Sequence, residues 1–374
     1  MALLLLTGCQ QPKALEISAR ANALGEFFLR GKVAYLFERY AAERELNALL
    51  LCIKESNNAF DATIRQSIRN WINRTHGATP EGRAQLQRLA ADADVIVQNY
   101  RPGVAERMGV GWAELSARKP ALVYVSISGW GSSGPMAHVP TLDTTMQAAS
   151  GMMHANRGED GRPRRIGLYL VDYATGLYAA QATLAALLRQ ARSGRGRHVE
   201  VAMLQAAAVL QNYLSIDAAM FPQQQGGAFN APTGLFDTAD GRQLYVSMLN
   251  DAMFLRLARA LGMDGWIADA GLHASSGRLP RAQELNQALA DRLGQGTLAH
   301  WSGLLARHDI LFAPLRSPGE LPQDAQARHL KVFAEQLVPG VGPVPLAGLP
   351  GGAGTLPLEP APRLGQHNAE LLGA

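Results

Sequence analysis

The sequence predicts an α/β protein, with a Rossmann-like doubly wound large domain and a smaller α/β domain. Three observations point there. Beyond about residue 78, short apolar strands alternate with amphipathic helices. The strands end in glycine-bearing turns, NYRPG and SGWGSSGP. The 374 residues are 47% hydrophobic and 18% charged, the balance of a globular chain with one or two sizeable cores.

The first 78 residues read differently. Pro12 is their only proline, and LFERYAAERELNALLLCIKE carries apolar residues at helical spacing, so residues 1–78 are expected to be an atypical helical segment. Leu6-Thr7-Gly8-Cys9 resembles a lipoprotein cleavage box, but no Lys or Arg precedes it and the apolar run is short. No stretch has the ~18 uninterrupted apolar residues of a membrane span. Cys9 and Cys52 form neither a disulfide framework nor a CxxC site, which makes a reducing, cytoplasmic setting the default.

From Thr79 the punctuation changes. Thr79-Pro80-Glu81 is a helix start: a capping hydroxyl, a proline suited to the first turn, and an acid at the positive end of the dipole. DVIVQNY is a strand that ends in RPG; a helix follows through Leu115 and stops before Pro120. ALVYVSISGWG is the next strand. In a parallel α/β sheet, ligands bind beyond the carboxyl ends of the strands, where both turns lie.

A long apolar helix is expected from Tyr173 to about Leu188, followed by a basic turn, RQARSGRGRH, and the strand VEVAML. The basic run reads as a solvated helix end, since cations favour that end of the dipole. LQAAAVLQNYL forms a helix to about Phe221, QQQGGAFNAPTG reads as a linker, and GRQLYVSM with FLRLARALG opens a second unit. The expected division is a large domain of residues 79–224 and 331–374, with a small domain of residues 225–330.

The net charge of +4 and the lack of a Lys/Arg stripe argue against a nucleic-acid partner. The nine histidines are scattered rather than set at ligand spacing, so no metal site is expected. There is no GxSxG elbow and no Walker loop.

Several segments, in order, resemble the family III (CaiB/BaiF-type) coenzyme A transferases. They are TPEGRAQLQRLAADADVIVQNYRPGVAERMGVGW, SISGWGSSGP, LDTTMQAASGMM, IGLYLVDYATGLYAAQATLAALLRQARSGRGRHVEVAMLQA, LFDTADGRQLYVSM and PAPRLGQHNAELL. The resemblance runs from about Thr79 to the carboxyl end. It implies the family III fold, an interlocked homodimer, and coenzyme A (CoA) as substrate and product with no permanently bound cofactor.

The resemblance makes Asp172 the catalytic nucleophile, attacking an acyl-CoA thioester on the way to CoA transfer onto a free carboxylic acid. A carboxylate is already ionised at neutral pH and can form the covalent intermediate. Read alone, Asp172 is a helix N-cap, a role Thr175 could take instead. The resemblance places Asn99, Tyr100, Arg101 and Arg107 at the CoA site. An arginine fork suits phosphate oxygens and an aromatic face suits adenine or the pantetheine arm; the plain alternative is a solvated turn. Gly129, Trp130 and Gly131 form an acyl or oxyanion loop, in which glycines can present backbone N–H groups closely. Trp130 either lines the acyl pocket or packs beneath the loop, and Asp143 either orients the site or caps a helix.

Related α-methylacyl-CoA racemases use a His base at a place that reads Thr141-Leu142-Asp143 here, and leucine exchanges no proton. Racemase-like chemistry and an inactive acyl-CoA-binding relative are the alternatives to transfer. Residues 1–78 lack the family's opening strand, Gly-Pro helix start and Asn-Arg-x-Lys segment. A sheet without its first unit would leave an unpaired edge.

Overall fold

The computed structural model of the protein describes residues 2–7, 46–52, 80–158, 160–222, 230–338 and 341–351. They divide into two units, the first built mainly from residues 1–220 and the second mainly from residues 221–337.

The first unit centres on a parallel five-stranded sheet: β1 (Ala2–Thr7), β2 (Leu46–Cys52), β3 (Val95–Gln98), β4 (Val123–Ser128) and β5 (Arg197–Ala202). β2 lies against β3 with Leu50 opposite Val97. Two expectations are thereby corrected. Residues 46–52, read as part of a helix, are a strand, since a short apolar run does not distinguish the two by periodicity. The edge of β3, expected to be bare, is paired. The remainder of the expected amino-terminal helix and Cys9 lie outside the described residues.

The strand side chains alternate between two cores. Ile96 and Tyr124 pack with Leu86 and Ala90 of α1 (Pro80–Asp92) and Leu115 of α3 (Trp112–Arg118); between these helices lies the short α2 (Val104–Arg107). Val95, Val97, Val123, Val125, Val199 and Val201 pack on the other face, with Ala179, Ala186 and Leu187 of α6 (Leu170–Ser193). Burial on both faces explains the near-continuous Val/Ile content of these strands. Helices cover both faces, but the described strands lie in chain order, without the reversal that marks a doubly wound sheet.

Glycine decides where α6 ends and β5 begins. Gly194 closes the helix with φ +67°, and a Cβ on Gly196 would fall 1.8 Å from the carbonyl oxygen of Leu122. Between β4 and α6 come α4 (Asp143–Ala149) and α5 (Met152–Ala155). The helix expected to run to about Phe221 is broken at Gln211 into α7 (Met203–Leu210) and α8 (Asn212–Met220). The Gln211 side-chain amide donates to the Ser150 carbonyl.

The second unit has an antiparallel sheet of β6 (Gly234–Asp237), β7 (Gln243–Ser247) and β8 (Leu311–Pro314). Its helices are α9 (Asp251–Leu261), α10 (Asp264–Ala268), α11 (Ser275–Arg278), α12 (Ala282–Leu293), α13 (Leu298–Arg307) and α14 (Ala325–His329). Phe254, Leu257, Leu285, Leu289 and Leu305 make its core. A hairpin, β9 (Phe333–Val338) with β10 (Gly342–Ala347), follows.

The end of the expected linker is part of this core. Asn230 and Ala231 are buried, and the fully buried guanidinium of Arg278 donates to Asn230 Oδ1 (2.8 Å), the Ala231 carbonyl (2.9 Å) and the Leu272 carbonyl (2.7 Å). It also pairs with Asp251 at 2.5 Å and lies 4.5 Å from the centre of the Phe254 ring. Residues 223–229 of that segment lie outside the described residues.

Candidate active site

Two loops leave the carboxyl ends of neighbouring strands. β3 and β4 are in register with Gln98 opposite Ser126, so NYRPG and SGWG start side by side.

In the first loop, Asn99, Arg101 and Arg107 are exposed while the ring of Tyr100 is packed into the core. The Tyr100 N–H donates to Gln98 Oε1 at 2.8 Å, and Val104 N–H closes the turn on the Arg101 carbonyl at 3.1 Å. Gly103 has φ +83°, and a Cβ there would lie 3.2 Å from a guanidinium nitrogen of Arg107. The glycine thus leaves Arg107 room to fold back over the turn.

In the second loop, a Cβ on Gly129 would meet Thr141 Cγ2 at 2.0 Å, so no other residue fits without displacing Thr141. Gly131 has φ +103° and its N–H donates to Ser128 Oγ at 3.1 Å, so in this arrangement that donor is engaged within the loop. The Gly129 carbonyl accepts from Leu204 N–H at the start of α7. Trp130 packs against Met146, Met152, Val171 and Ala207, and its buried indole N–H has no hydrogen-bond partner among the described residues.

Asp172 lies in the first turn of α6, which begins at Leu170, three residues earlier than the expected start at Tyr173. It is therefore not the cap, and neither is Thr175, whose hydroxyl donates to the Val171 carbonyl at 2.7 Å. The cap comes from elsewhere: buried Asp143, at the start of α4, accepts from Val171 N–H (2.8 Å) and Asp172 N–H (3.1 Å) through one carboxylate oxygen. An anion at a helix amino terminus satisfies orphan donors and meets the positive end of the dipole.

The other oxygen of Asp143 accepts from Gln147 Nε2 at 2.7 Å. Gln147 also accepts from Ile166 N–H (2.9 Å) and donates to the Leu168 carbonyl (3.0 Å), tying down the loop that leads into α6. Gln147 has no role in the sequence reading; its one-turn spacing from Asp143 on a helix was the available signal. The structure thus gathers Trp130, Asp143, Gln147 and Asp172 around the start of α6, and Asn99 to Arg107 at the end of β3.

A strand-end loop, through Trp130, meets the amino end of a long helix, an arrangement in which parallel α/β proteins bind ligands. A family model, that of CoA-transferase family III, matches residues 76–368, and the chain belongs to that family: it is a CoA-transferase of the CaiB/BaiF type. A separate model, described as "Putative bacterial virulence factor", matches residues 9–90, so the two overlap over residues 76–90, where the composition changes.

The succinyl-CoA:glutarate CoA-transferase of Mus musculus is 32% identical over 78% of this chain and 69% of its own length. The acetyl-CoA:oxalate CoA-transferase of Acetobacter aceti is 32% identical over 71% of this chain and 70% of its own. Rv3272 of Mycobacterium tuberculosis superposes with a TM-score of 0.67 at 27% identity, covering 78% of this chain and 80% of that one. A CAIB/BAIF family protein of Brucella suis gives 0.68 at 26% identity, covering 79% of each. No helix among the described residues is long and apolar enough to cross a membrane.

Proposed function

We propose that the protein moves CoA from an acyl-CoA to a free carboxylic acid through covalent intermediates on Asp172. The observation that carries this reading is the placement of Asp172. Its carboxylate is half-buried in the first turn of α6, and its backbone is held by a second, buried carboxylate.

In the proposed sequence, Asp172 attacks the thioester carbonyl, the C–S bond breaks, and the CoA thiolate leaves an aspartyl mixed anhydride. The thiolate then attacks the aspartyl carbonyl of that anhydride and releases the first acid. The acceptor carboxylate attacks the resulting aspartyl-CoA thioester, and the thiolate freed in that step takes the acceptor's acyl group and restores Asp172. The covalent relay splits the transfer into steps in each of which the reacting groups are held together on the protein.

Asn99 and Arg107, exposed at the end of β3, would hold the nucleotide end of CoA, with Arg101 beside them and Tyr100 anchoring the turn. Gly129, Trp130 and Gly131 would face the acyl group. The relatives acting on glutarate and oxalate make dicarboxylic acids the first acceptors to try. The exposed Arg162 and Arg165, on the loop before α6, suit a second carboxylate.

The protein would act as a homodimer in the cytoplasm, without a permanent cofactor, nucleic acid or membrane. Leu177, Leu184 and Leu188 on α6 and Tyr213, Ile216 and Met220 on α8 form exposed apolar stripes of the kind that oligomers cover. The test is chromatographic: incubation with succinyl-CoA and glutarate should yield glutaryl-CoA, whereas release of free CoA alone would point to hydrolysis.

A further inference from the structure

We infer that Gln98, Ser126 and His198 form a polar relay across three strands, buried at its Gln98 end, whose task is to position the CoA-binding turn. This rests on the proposal that the Asn99 to Arg107 segment holds CoA.

The first two links of the relay have a fixed direction. Tyr100 N–H can only donate, and it does so to Gln98 Oε1 at 2.8 Å, which orients the Gln98 amide. Gln98 Nε2 then donates to Ser126 Oγ at 2.9 Å. Ser126 Oγ lies 2.8 Å from His198 Nε2, and since the hydroxyl keeps its proton and a second lone pair, it can donate to that nitrogen or accept from it. The far end is anchored by packing: Trp112 stacks on His198 with ring centres 5.6 Å apart, and Tyr124 meets it edge-on at 5.4 Å.

A polar side chain is unexpected at the buried end of this strand. Val95, Ile96 and Val97 are apolar and fully packed, yet the strand ends in a buried glutamine. Burying an amide costs free energy unless all its groups are satisfied, and here both oxygen and nitrogen are. Neither Gln98 nor Ser126 lies on the turn. Their combined effect is to hold one backbone N–H of the residue between Asn99 and Arg101, fixing where the loop leaves the sheet. A sheet-borne support of this kind gives a loop site its precision. Gln98, Ser126 and His198 are therefore positioning residues, acting on CoA through Tyr100.

The test measures binding of free CoA by calorimetry and the KM and kcat for an acyl-CoA. Gln98→Leu removes the acceptor for Tyr100 N–H and should weaken CoA binding about tenfold, with KM rising in step and kcat within about twofold, from the loss of one buried hydrogen bond. Gln98→Glu keeps that acceptor and should restore most of the affinity. Ser126→Ala, a milder change, should weaken binding about threefold. Asn99→Ala and Arg107→Ala serve as direct-contact controls. If they weaken CoA binding but Gln98→Leu only lowers the melting temperature, the relay is structural and the inference is overturned. If the controls leave binding unchanged, the CoA site lies elsewhere, and both the reading and the inference fall.

Discussion

One oxygen of the Asp143 carboxylate accepts from the backbone N–H of Asp172 at 3.1 Å and from that of Val171 at 2.8 Å. Two acids 29 residues apart in the chain thus meet at one helix start, one holding the backbone of the other. Asp143→Ala should cost about 3 kcal/mol of stability, because it strands the buried N–H of Val171, the half-buried N–H of Asp172 and the Gln147 amide. It should also lower kcat well beyond any change in KM, since the acid it positions is the proposed nucleophile. Asp143→Asn keeps one acceptor and should fall between. Denaturant unfolding and steady-state kinetics on the same preparations check both effects.

Gly129 and Thr141 make a steric pair. Gly129→Ala places a methyl 2.0 Å from Thr141 Cγ2 and should destabilise the protein by about 1–3 kcal/mol. Thr141→Ser removes that methyl and keeps the hydroxyl that bonds Thr145 at 2.9 Å. The double variant should recover most of the loss, and a double-mutant cycle on unfolding free energies measures the coupling.

Burial pushes the His198 imidazole below its ordinary pKa of 6.5, against the opposing pull of Glu200 and Glu106. Below that value the unfolded chain takes up a proton that the folded chain resists. The contribution of neutral His198 is therefore fully present above pH 6.5 and is lost as pH falls through the lower folded value. Melting temperatures of the wild type and His198→Gln should converge as pH drops from about 7 to about 5. Parallel curves would contradict the burial argument.

In the second unit, Arg278→Met removes donors to Asn230, Ala231, Leu272 and Asp251 while roughly keeping volume. The carbonyls left behind are buried, so a loss of about 3 kcal/mol is expected, read as a drop in the denaturant midpoint.

Much of this was legible in the sequence wherever the signal is local. The strand-end turns NYRPG and SGWG, the strand VYVSIS and the long helix follow from apolar periodicity and glycine placement. The segments of family resemblance lie where the family match of residues 76–368 falls. The misses have a common cause, namely partners distant in the chain. The start of α6 shifted from Tyr173 to Leu170 because its cap is the side chain of Asp143, which no local capping pattern reveals. Asn230 read as linker because its partner, Arg278, lies 48 residues away. Residues 46–52 read as helix because their strand character comes from pairing with β3. Gln147 carried only a spacing signal, and its three roles appear when the loop from Ile166 to Leu168 folds over it.

The most direct test of the central claim is intact-protein mass spectrometry after mixing with a panel of acyl-CoAs, with Asp172→Ala in parallel. The expected result is a CoA-sized adduct that is removed by hydroxylamine and absent from the variant. CoA binding with no adduct on the wild type, or an adduct of equal yield on Asp172→Ala, would contradict it.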